Sequence, residues 1–229
     1  MRTAAILPVK SFLRAKQRLS ASVDDRLRPV LAAAMVADVL DALAATAGIE
    51  QTFLVTREQQ AHRAALASGA TVIEDAVESG QSAAAALGIA HAAAQGFERV
   101  LCVPGDCPAL DPAELAALLA ECVSDAPLAI VLPDRHGTGT NGLLLAPPTA
   151  IAPSFGPDSC SRHAALAAEA GVACRVERLA SLSLDVDTGD DLAALREALV
   201  GVEGRAPRTR AVLGEPSPGL APPPVAGRQ

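Results

Sequence analysis

Aromatic residues are the scarcest class in this sequence, which has no tryptophan or tyrosine and only four phenylalanines. Proteins that bind single-stranded nucleic acid stack the bases on aromatic side chains, and few such platforms can form here. The formal net charge of -7 also disfavours an extended surface for nucleic-acid phosphates. We therefore expect a protein that binds small molecules and does not bind nucleic acid.

Long apolar runs are absent as well. None approaches the roughly 20 residues that a membrane-spanning helix needs, and the first ten residues show no secretory cleavage site. The five cysteines form no C-x-x-C pair, and an odd number of cysteines cannot all pair within one chain. The sequence thus predicts a reduced, cytoplasmic protein without a membrane partner, and it is compatible with a homodimer.

Lysine is rare, because 17 of the 19 basic residues are arginine and only Lys10 and Lys16 are lysine. With Arg14 and Arg18 they place four cations within nine residues, directly after the first strand-like segment. A solvated charged loop is one interpretation of this cluster. In an otherwise acidic chain the cluster also fits a triphosphate clamp, since a compact ammonium can sit between phosphate oxygens. From charge alone, we predict that Lys10, Lys16 and Arg18 bind a nucleotide.

Half of the 229 residues are hydrophobic, which is enough for one core and a single domain. Five short apolar segments have the length and composition of strands, namely residues 4–9, 52–56, 71–73, 100–103 and 128–132. Helical patterns lie between them at 30–44, 82–94 and 113–122. This alternation predicts an α/β protein, a single three-layer αβα domain with a mostly parallel sheet.

The second half of the chain continues the alternation. A strand at 141–146 precedes a helix over 159–171, and a short strand ending at residue 185 or 186 precedes a helix that Asp187 or Thr188 caps. We place the domain at residues 1–201. Residues 202–229 are rich in proline and poor in apolar side chains, which predicts a disordered tail.

Carboxylates follow two of the predicted strands, at the edge of the sheet where open α/β folds bind ligands. Gly105 permits a tight turn that places Asp106 at a strand tip. Asp185 and Asp187 are alternate residues of an extended segment and so face the same way. Carboxylates this close repel each other unless a cation joins them, and magnesium prefers such oxygen ligands. Each aspartate could instead cap a turn or a helix, and the sequence leaves that alternative open.

Glycines and hydroxyl groups concentrate in two segments around Thr140 and Ser159. Free backbone N–H groups at such turns and at a helix start form a pocket for a phosphate or a carboxylate. Asp158, Ser161 and His163 are poor candidates for a hydrolase triad, because neighbours on one short helix rarely have that geometry and no G-x-S-x-G elbow is present. No G-x-G-x-x-G follows the first strand, which disfavours a dinucleotide site.

Five strings together carry a family resemblance: PVKSFLRAKQRL, GDCPAL, DRHGTGTNGLLL, FGPDSCSRHA and LDVDTGDDL. They occur in this order between residues 8 and 192, within a resemblance that covers residues 6 to about 199. They resemble CofC-type guanylyltransferases, which are similar in fold to molybdopterin and sugar nucleotidylyltransferases. The resemblance implies a nucleotide-diphospho-sugar-transferase-like fold and a role in coenzyme F-420 biosynthesis.

The same resemblance implies the ligands of two sites. Asp106, Asp185 and Asp187 would hold one or two magnesium ions. GTP would lie against the first loop and against the residues from Gly80 to Ser82. Related proteins often have asparagine or serine at the last of these positions, and Ser82 is an acceptable but weaker match.

The resemblance also implies an acid subsite made by the backbone around Thr140 and Gly156 and by the side chain of Ser159. The partner of GTP would be a small phosphorylated three-carbon acid. Phosphoenolpyruvate, 2-phospho-L-lactate and 3-phosphoglycerate differ by only one or two atoms, which one sequence cannot position. We favour phosphoenolpyruvate, because the Ala- and Arg-rich composition is compatible with a high-GC bacterial source, where the resemblance favours that acid.

The expected reaction joins GMP from GTP to the phosphate of the acid and releases pyrophosphate. A phosphate monoester is already largely a dianion at pH 7, so this chemistry needs no general base. Catalytic roles then fall to Asp106, Lys10 and Lys16, which would place and neutralise the anions. A sugar or molybdopterin nucleotidylyltransferase should carry a G-G-x-S-x-R-M-G loop, which is absent here. A non-catalytic nucleotide-binding regulator is the alternative of another class.

Overall fold

The computed structural model describes residues 1–12, 16–20, 22–122 and 126–214. Seven strands occur in this part of the chain: β1 (Thr3–Pro8), β2 (Gln51–Val55), β3 (Thr71–Ile73), β4 (Arg99–Cys102), β5 (Leu128–Pro133), β6 (Thr140–Ala146) and β7 (Ala173–Val176). The same part contains seven α-helices: α1 (Leu27–Ala45), α2 (Gln59–Ala67), α3 (Gln81–Ala94), α4 (Pro112–Glu121), α5 (Ser159–Glu169), α6 (Gly189–Ala198) and α7 (Pro207–Val212). None of these helices is long and apolar enough to cross a membrane.

The seven strands form one sheet in the order β3-β2-β1-β4-β6-β5-β7. All neighbouring strands in it are parallel except at β6, which runs antiparallel to both β4 and β5. The carboxyl ends of β1 to β4 therefore meet at one edge, and the loops that follow these strands lie side by side. The predicted mostly parallel sheet is confirmed.

Residues of β1 alternate between the apolar clusters on the two faces of the sheet. Ala5 and Leu7 belong to the cluster beneath α1, α2 and α4, whereas Ala4 and Ile6 belong to the cluster beneath α3 and α5. Gly88 lets α3 approach the sheet closely, because a Cβ at this position would lie 2.4 Å from Cγ2 of Ile6. The predicted three-layer arrangement is thus confirmed.

Two helix starts follow from capping residues in the sequence. The Asp111 side chain accepts a hydrogen bond from the backbone N–H of Ala113, and Pro112 is the first residue of α4. At α6 the cap is Thr188, whose hydroxyl forms a capping box with Asp191. Of the two caps that the sequence allowed for α6, Thr188 is therefore correct, and the Asp187 side chain is left for another role.

The prediction of a strand ending at residue 185 or 186 is wrong. The sheet strand lies earlier, at β7, and residues 184–187 form no strand. Leu184 and Val186 instead pack into a third apolar cluster with residues of α1 and α6. The exposed edge strand β7 lacks the apolar pattern that would have indicated it, since Ala173 and Val176 are exposed.

The prediction of a disordered tail from residue 202 is wrong for residues 202–214, because α7 packs against α1. Polar contacts hold it there. Buried Asp38 accepts hydrogen bonds from the backbone N–H groups of Arg208 and Thr209, at 3.1 and 2.8 Å. The Arg210 guanidinium donates to the carbonyl oxygens of Leu199 and Val202. Residues 215–229 lie outside the described part of the chain.

Candidate active site

A cleft of about 330 Å³ opens at the carboxyl edge of the sheet. Its walls come from the loop after β1, the start of α1, the loop between β3 and α3, the loop after β4 and the segment before α6. Charged residues from these segments line it: Lys10, Lys16, Asp75, Glu78, Asp106 and Asp187. The cleft lies where a parallel sheet of this kind binds its ligands.

Lys16 joins two of the aspartates predicted for the site. Its Nζ donates to Oδ2 of Asp106 at 2.5 Å and to Oδ1 of Asp187 at 2.8 Å. Only 7% of the Lys16 side chain is exposed. Burial alone would lower the pKa of Lys16, but the charges and hydrogen bonds of the two carboxylates outweigh it and raise the pKa above its usual value. The lysine is therefore a fixed cation in the cleft.

Asp106 is placed by a close contact between its loop and α1. A Cβ on Gly105 would lie 2.8 Å from Cγ2 of Val36, so glycine lets the tip of β4 pack tightly on the helix. Asp106 also binds the segment before α6, because its carbonyl oxygen accepts from the N–H of Val186 at 3.1 Å. The Oδ1 of Asp106 is buried and has no hydrogen-bond partner within the described residues.

Asp185 completes the acidic group. The Asn141 side-chain amide donates to Oδ1 of Asp185 at 3.1 Å and to the carbonyl oxygen of Leu182 at 3.0 Å. Burial, and after it the negative charge of Asp106, raise the pKa of Asp185 above its usual value. Like charges are thus crowded here, a repulsion that a divalent cation would relieve. The supporting role of Asn141 was not predicted, although it lies in the DRHGTGTNGLLL string.

The donor chemistry of this acidic group fits magnesium. All three predicted ligands are carboxylates, and the partnerless buried Oδ1 of Asp106 offers a free ligand atom. With Lys16 between Asp106 and Asp187, however, the described residues present no group of three His, Cys, Asp or Glu side chains arranged to hold a metal ion. Magnesium binding therefore stays a prediction.

The residues predicted to bind the nucleotide fall into two groups. Lys10, Lys16 and Gly80 line the cleft. Arg18 is exposed and is not among the lining residues. The Ser82 hydroxyl accepts a hydrogen bond from the N–H of Phe155 at 2.9 Å, so it links the start of α3 to the loop that precedes α5. The predicted nucleotide and acid segments are therefore neighbours.

The two segments predicted to hold the acid come together at the start of α5. The N–H of Cys160 donates to the carbonyl oxygen of Thr138 at 3.0 Å. Thr140 and Ser159 are both buried, and Gly156 adopts a φ of 112°, which favours glycine. The N–H of Ser159 donates to the carbonyl oxygen of Gly156 at 3.2 Å. Thr140, Gly156 and Ser159 thus belong to one small region.

His163 supports this region. Its Nε2 accepts from the N–H of Ser154 at 2.8 Å, so its Nδ1 carries the proton and donates to Oγ1 of Thr140 at 3.0 Å. Burial, with a smaller effect from the nearby charge of Arg162, lowers the pKa of His163 to about 4. Both ring nitrogens of the neutral ring are occupied, so His163 cannot serve in a triad with Ser161.

Two further charged residues of the cleft, Asp75 and Glu78, were not predicted as site residues. Both lie between β3 and α3 and line the cleft. The rule that ligands bind beyond the carboxyl ends of strands applies to β3 as well as to β1 and β4, and this was the signal that could have found them.

The sheet order and the charged cleft define a nucleotidyltransferase-like α/β protein. A solved structure described as a nucleotide-diphospho-sugar transferase from Desulfovibrio desulfuricans superposes with a TM-score of 0.73 at 17% identity, covering 93% of this chain and 95% of the other. That similarity establishes the fold.

Over residues 3–208 the chain matches the family described as "Guanylyl transferase CofC like", and it belongs to this family of guanylyltransferases. A protein named phosphoenolpyruvate guanylyltransferase from Conexibacter woesei is 47% identical, covering 94% of this chain and 96% of the relative. One named 3-phospho-D-glycerate guanylyltransferase from Phenylobacterium zucineum is 38% identical, covering 82% of this chain and 86% of the relative. The resemblance expected from the five sequence strings is confirmed.

Proposed function

We propose that this protein transfers GMP from GTP to the phosphate of phosphoenolpyruvate, with magnesium, in the cytoplasm and in coenzyme F-420 biosynthesis. The observation that carries the choice of acid is the near-full-length similarity to the relative named phosphoenolpyruvate guanylyltransferase. The cleft supports the nucleotide part of the proposal, because it combines two lysines with three aspartates beside the start of α3.

In the proposed reaction, a phosphate oxygen of the acid attacks the α-phosphorus of GTP. The bond between that phosphorus and the bridging oxygen to the β-phosphate breaks, and pyrophosphate leaves with the electron pair. The attacking group is already largely a dianion near pH 7, so no proton has to be removed from it. The task of the protein is to bring two anions together in line and to neutralise the leaving group.

Two lysines and three aspartates have a place in this task. Lys10 and Lys16 would contact the triphosphate, because both line the cleft at the loop after β1. Asp106, Asp185 and Asp187 would hold magnesium through their carboxylate oxygens. Magnesium, when bound there, would supply charge neutralisation for the pyrophosphate that departs.

The acid would bind at the start of α5, through the backbone around Thr140 and Gly156 and the hydroxyl of Ser159. The hydrogen bond between Phe155 and Ser82 supports this location, because it holds the acid segment against the start of α3, next to the nucleotide cleft. Neutral His163 adds no charge there.

The decisive experiment mixes the protein with magnesium, GTP and each of phosphoenolpyruvate, 2-phospho-L-lactate and 3-phosphoglycerate, and identifies the product by mass. We expect the guanylylated phosphoenolpyruvate and an equal amount of pyrophosphate. The 38% identical relative makes 3-phosphoglycerate the second candidate. Pyrophosphate release with CTP or UTP and a sugar phosphate, but with none of these acids, would contradict the proposal.

A further inference from the structure

The cleft is acidic on two of its loops. Asp75 and Glu78 follow β3, whereas Asp106 follows β4 and lies beside Lys16. Glu78 lies just before α3, a helix that packs on β1 and β2, and it lines the same cleft as the two lysines. A nucleotide whose triphosphate contacts the lysines can therefore place its base against the loop of Asp75 and Glu78, which is then the base end of the cleft.

Glu78 presents an unused acceptor at this end of the cleft. It lines the cleft, and its Oε1 is buried without a hydrogen-bond partner in the part of the chain that the structure describes. A buried carboxylate oxygen without a donor is costly, and in a residue that lines a ligand cleft such an atom indicates that the bound ligand supplies the donor.

Asp75 has a different role, because it already supports the turn that carries Glu78. Its Oδ1 accepts a hydrogen bond from the backbone N–H of Glu78 at 3.0 Å. This contact holds Glu78 at a φ of 49°, a left-handed conformation that is uncommon outside glycine. The loop therefore fixes the backbone of Glu78 while one of its carboxylate oxygens stays unpaired.

The hydrogen-bonding groups of the bases indicate which nucleotide this acceptor can bind. Guanine offers two adjacent donors on its Watson–Crick edge, N1–H and the 2-amino group, and a carboxylate can accept both. Adenine offers an acceptor at N1, whose lone pair would face the carboxylate and be repelled. A carboxylate at the base end of the cleft therefore selects guanine against adenine.

We propose that Glu78 is the residue that determines guanine specificity, by accepting hydrogen bonds from N1–H and the 2-amino group of GTP. This inference rests on the proposed function, since it takes GTP as the nucleotide in this cleft. Asp75 is the positioning residue that holds Glu78 in place.

The test uses Glu78→Gln, which keeps the size of the side chain and replaces one acceptor by a donor. Binding of GTP, ITP and ATP is measured first by calorimetry in the absence of any acid, and then turnover is measured with phosphoenolpyruvate. ITP lacks the 2-amino group but keeps N1–H. We expect the variant to bind GTP about ten- to a hundredfold more weakly, with the loss in KM more than in kcat.

The preference among nucleotides is the sharper readout. In the wild type we expect GTP to bind at least about tenfold better than ITP and far better than ATP. In Glu78→Gln the preference for GTP over ITP should largely vanish, and that for GTP over ATP should fall about a hundredfold, because glutamine can pair with adenine. Glu78→Asp keeps the charge but withdraws it by one methylene, and we expect it to lose part of the preference over ITP.

Glu74→Gln is the matched control, because Glu74 is exposed in the same loop and is not among the lining residues. It should keep the wild-type preferences. Unchanged preferences in Glu78→Gln and Glu78→Asp, with wild-type turnover of GTP, would overturn the role of Glu78 and leave the proposed function intact. Selective GTP binding that depends on Glu78, without guanylylation of any acid, would support Glu78 and contradict the proposed function.

Discussion

Lys16 and Asp106 form an ion pair in which Nζ lies 2.5 Å from Oδ2, although 90 positions separate them in the sequence. The pair places the cation of the first loop on the carboxylate that we propose as a metal ligand. The same ammonium also contacts Asp187. The lysine therefore lies between two of the three carboxylates that we propose as metal ligands, and it links the loop after β1 to the acidic group.

Removal of the Asp106 carboxylate tests its part in the reaction. We expect Asp106→Ala to stay folded, because 26% of this side chain is exposed and Lys16 keeps Asp187 as a partner. Turnover should fall at least about a hundredfold, or roughly 2.7 kcal/mol of barrier. Steady-state pyrophosphate release and thermal unfolding provide the two measurements. Glu121→Ala, at the exposed end of α4, is the control and should match the wild type in both.

Replacement of Lys16 separates metal binding from nucleotide binding. Without its ammonium, Asp106 and Asp187 keep their negative charges unpaired, so Lys16→Met should bind magnesium about tenfold more tightly in the absence of GTP. The same variant should use GTP less well, because a phosphate contact is lost. Calorimetric titration with magnesium chloride measures the magnesium affinity, and kcat/KM for GTP measures the use of the nucleotide.

Lys10→Met is the control for this pair of effects. Lys10 lines the cleft but does not join the two aspartates, so its replacement should weaken the use of GTP without tightening magnesium binding. If Lys16→Met bound magnesium no better than the wild type does, the lysine and the metal would not share these carboxylates.

The sequence predicted the position of Asp106 better than it predicted the elements near the carboxyl end of the chain. Asp106 follows a buried apolar strand and a glycine, so its place at the carboxyl edge follows from pattern alone. The contact between Lys16 and Asp106 did not follow, because it depends on the tertiary position of Lys16, whose backbone is left-handed. No local pattern encodes a pairing between residues 90 positions apart.

Residues 202–214 show the opposite case, because the sequence predicted a disordered tail there. Apolar content predicts which segments pack, but the described tail combines a few apolar contacts, of Ala206, Val212 and Leu213, with polar contacts of Asp38 and Arg210 to backbone atoms. Such contacts require two distant segments to meet in one geometry. A sequence rich in proline and arginine therefore looked like a solvated tail.

The buried His163 should make the stability of the protein depend on pH. Its pKa falls from 6.5 to about 4 on folding, so between these values the unfolded chain binds a proton that the folded protein excludes. The stabilisation is present above pH 6.5 and is lost as the pH falls towards 4, up to about 3 kcal/mol. Urea unfolding at pH 7, 5.5 and 4.5 measures it.

In His163→Gln this part of the pH dependence should disappear, because glutamine does not titrate. His136→Gln changes an exposed histidine and should keep the wild-type slope. An equally steep loss of stability in His163→Gln would assign the acid sensitivity to other groups. Since Nδ1 of His163 donates to Thr140, the variant should also raise the KM for the acid more than the KM for GTP.

The contacts of Asp38 indicate how α7 can be released from α1. Asp38→Ala removes the acceptor for the N–H groups of Arg208 and Thr209 at the start of α7, which should lower stability by about 1–2 kcal/mol. The released helix would expose Arg210, which is 7% exposed in the folded protein. Limited trypsin digestion should therefore cut after Arg210 much faster in the variant. Glu169→Ala, at the exposed end of α5, is the control, and cleavage at equal rates in wild type and Asp38→Ala would show that Asp38 does not hold α7.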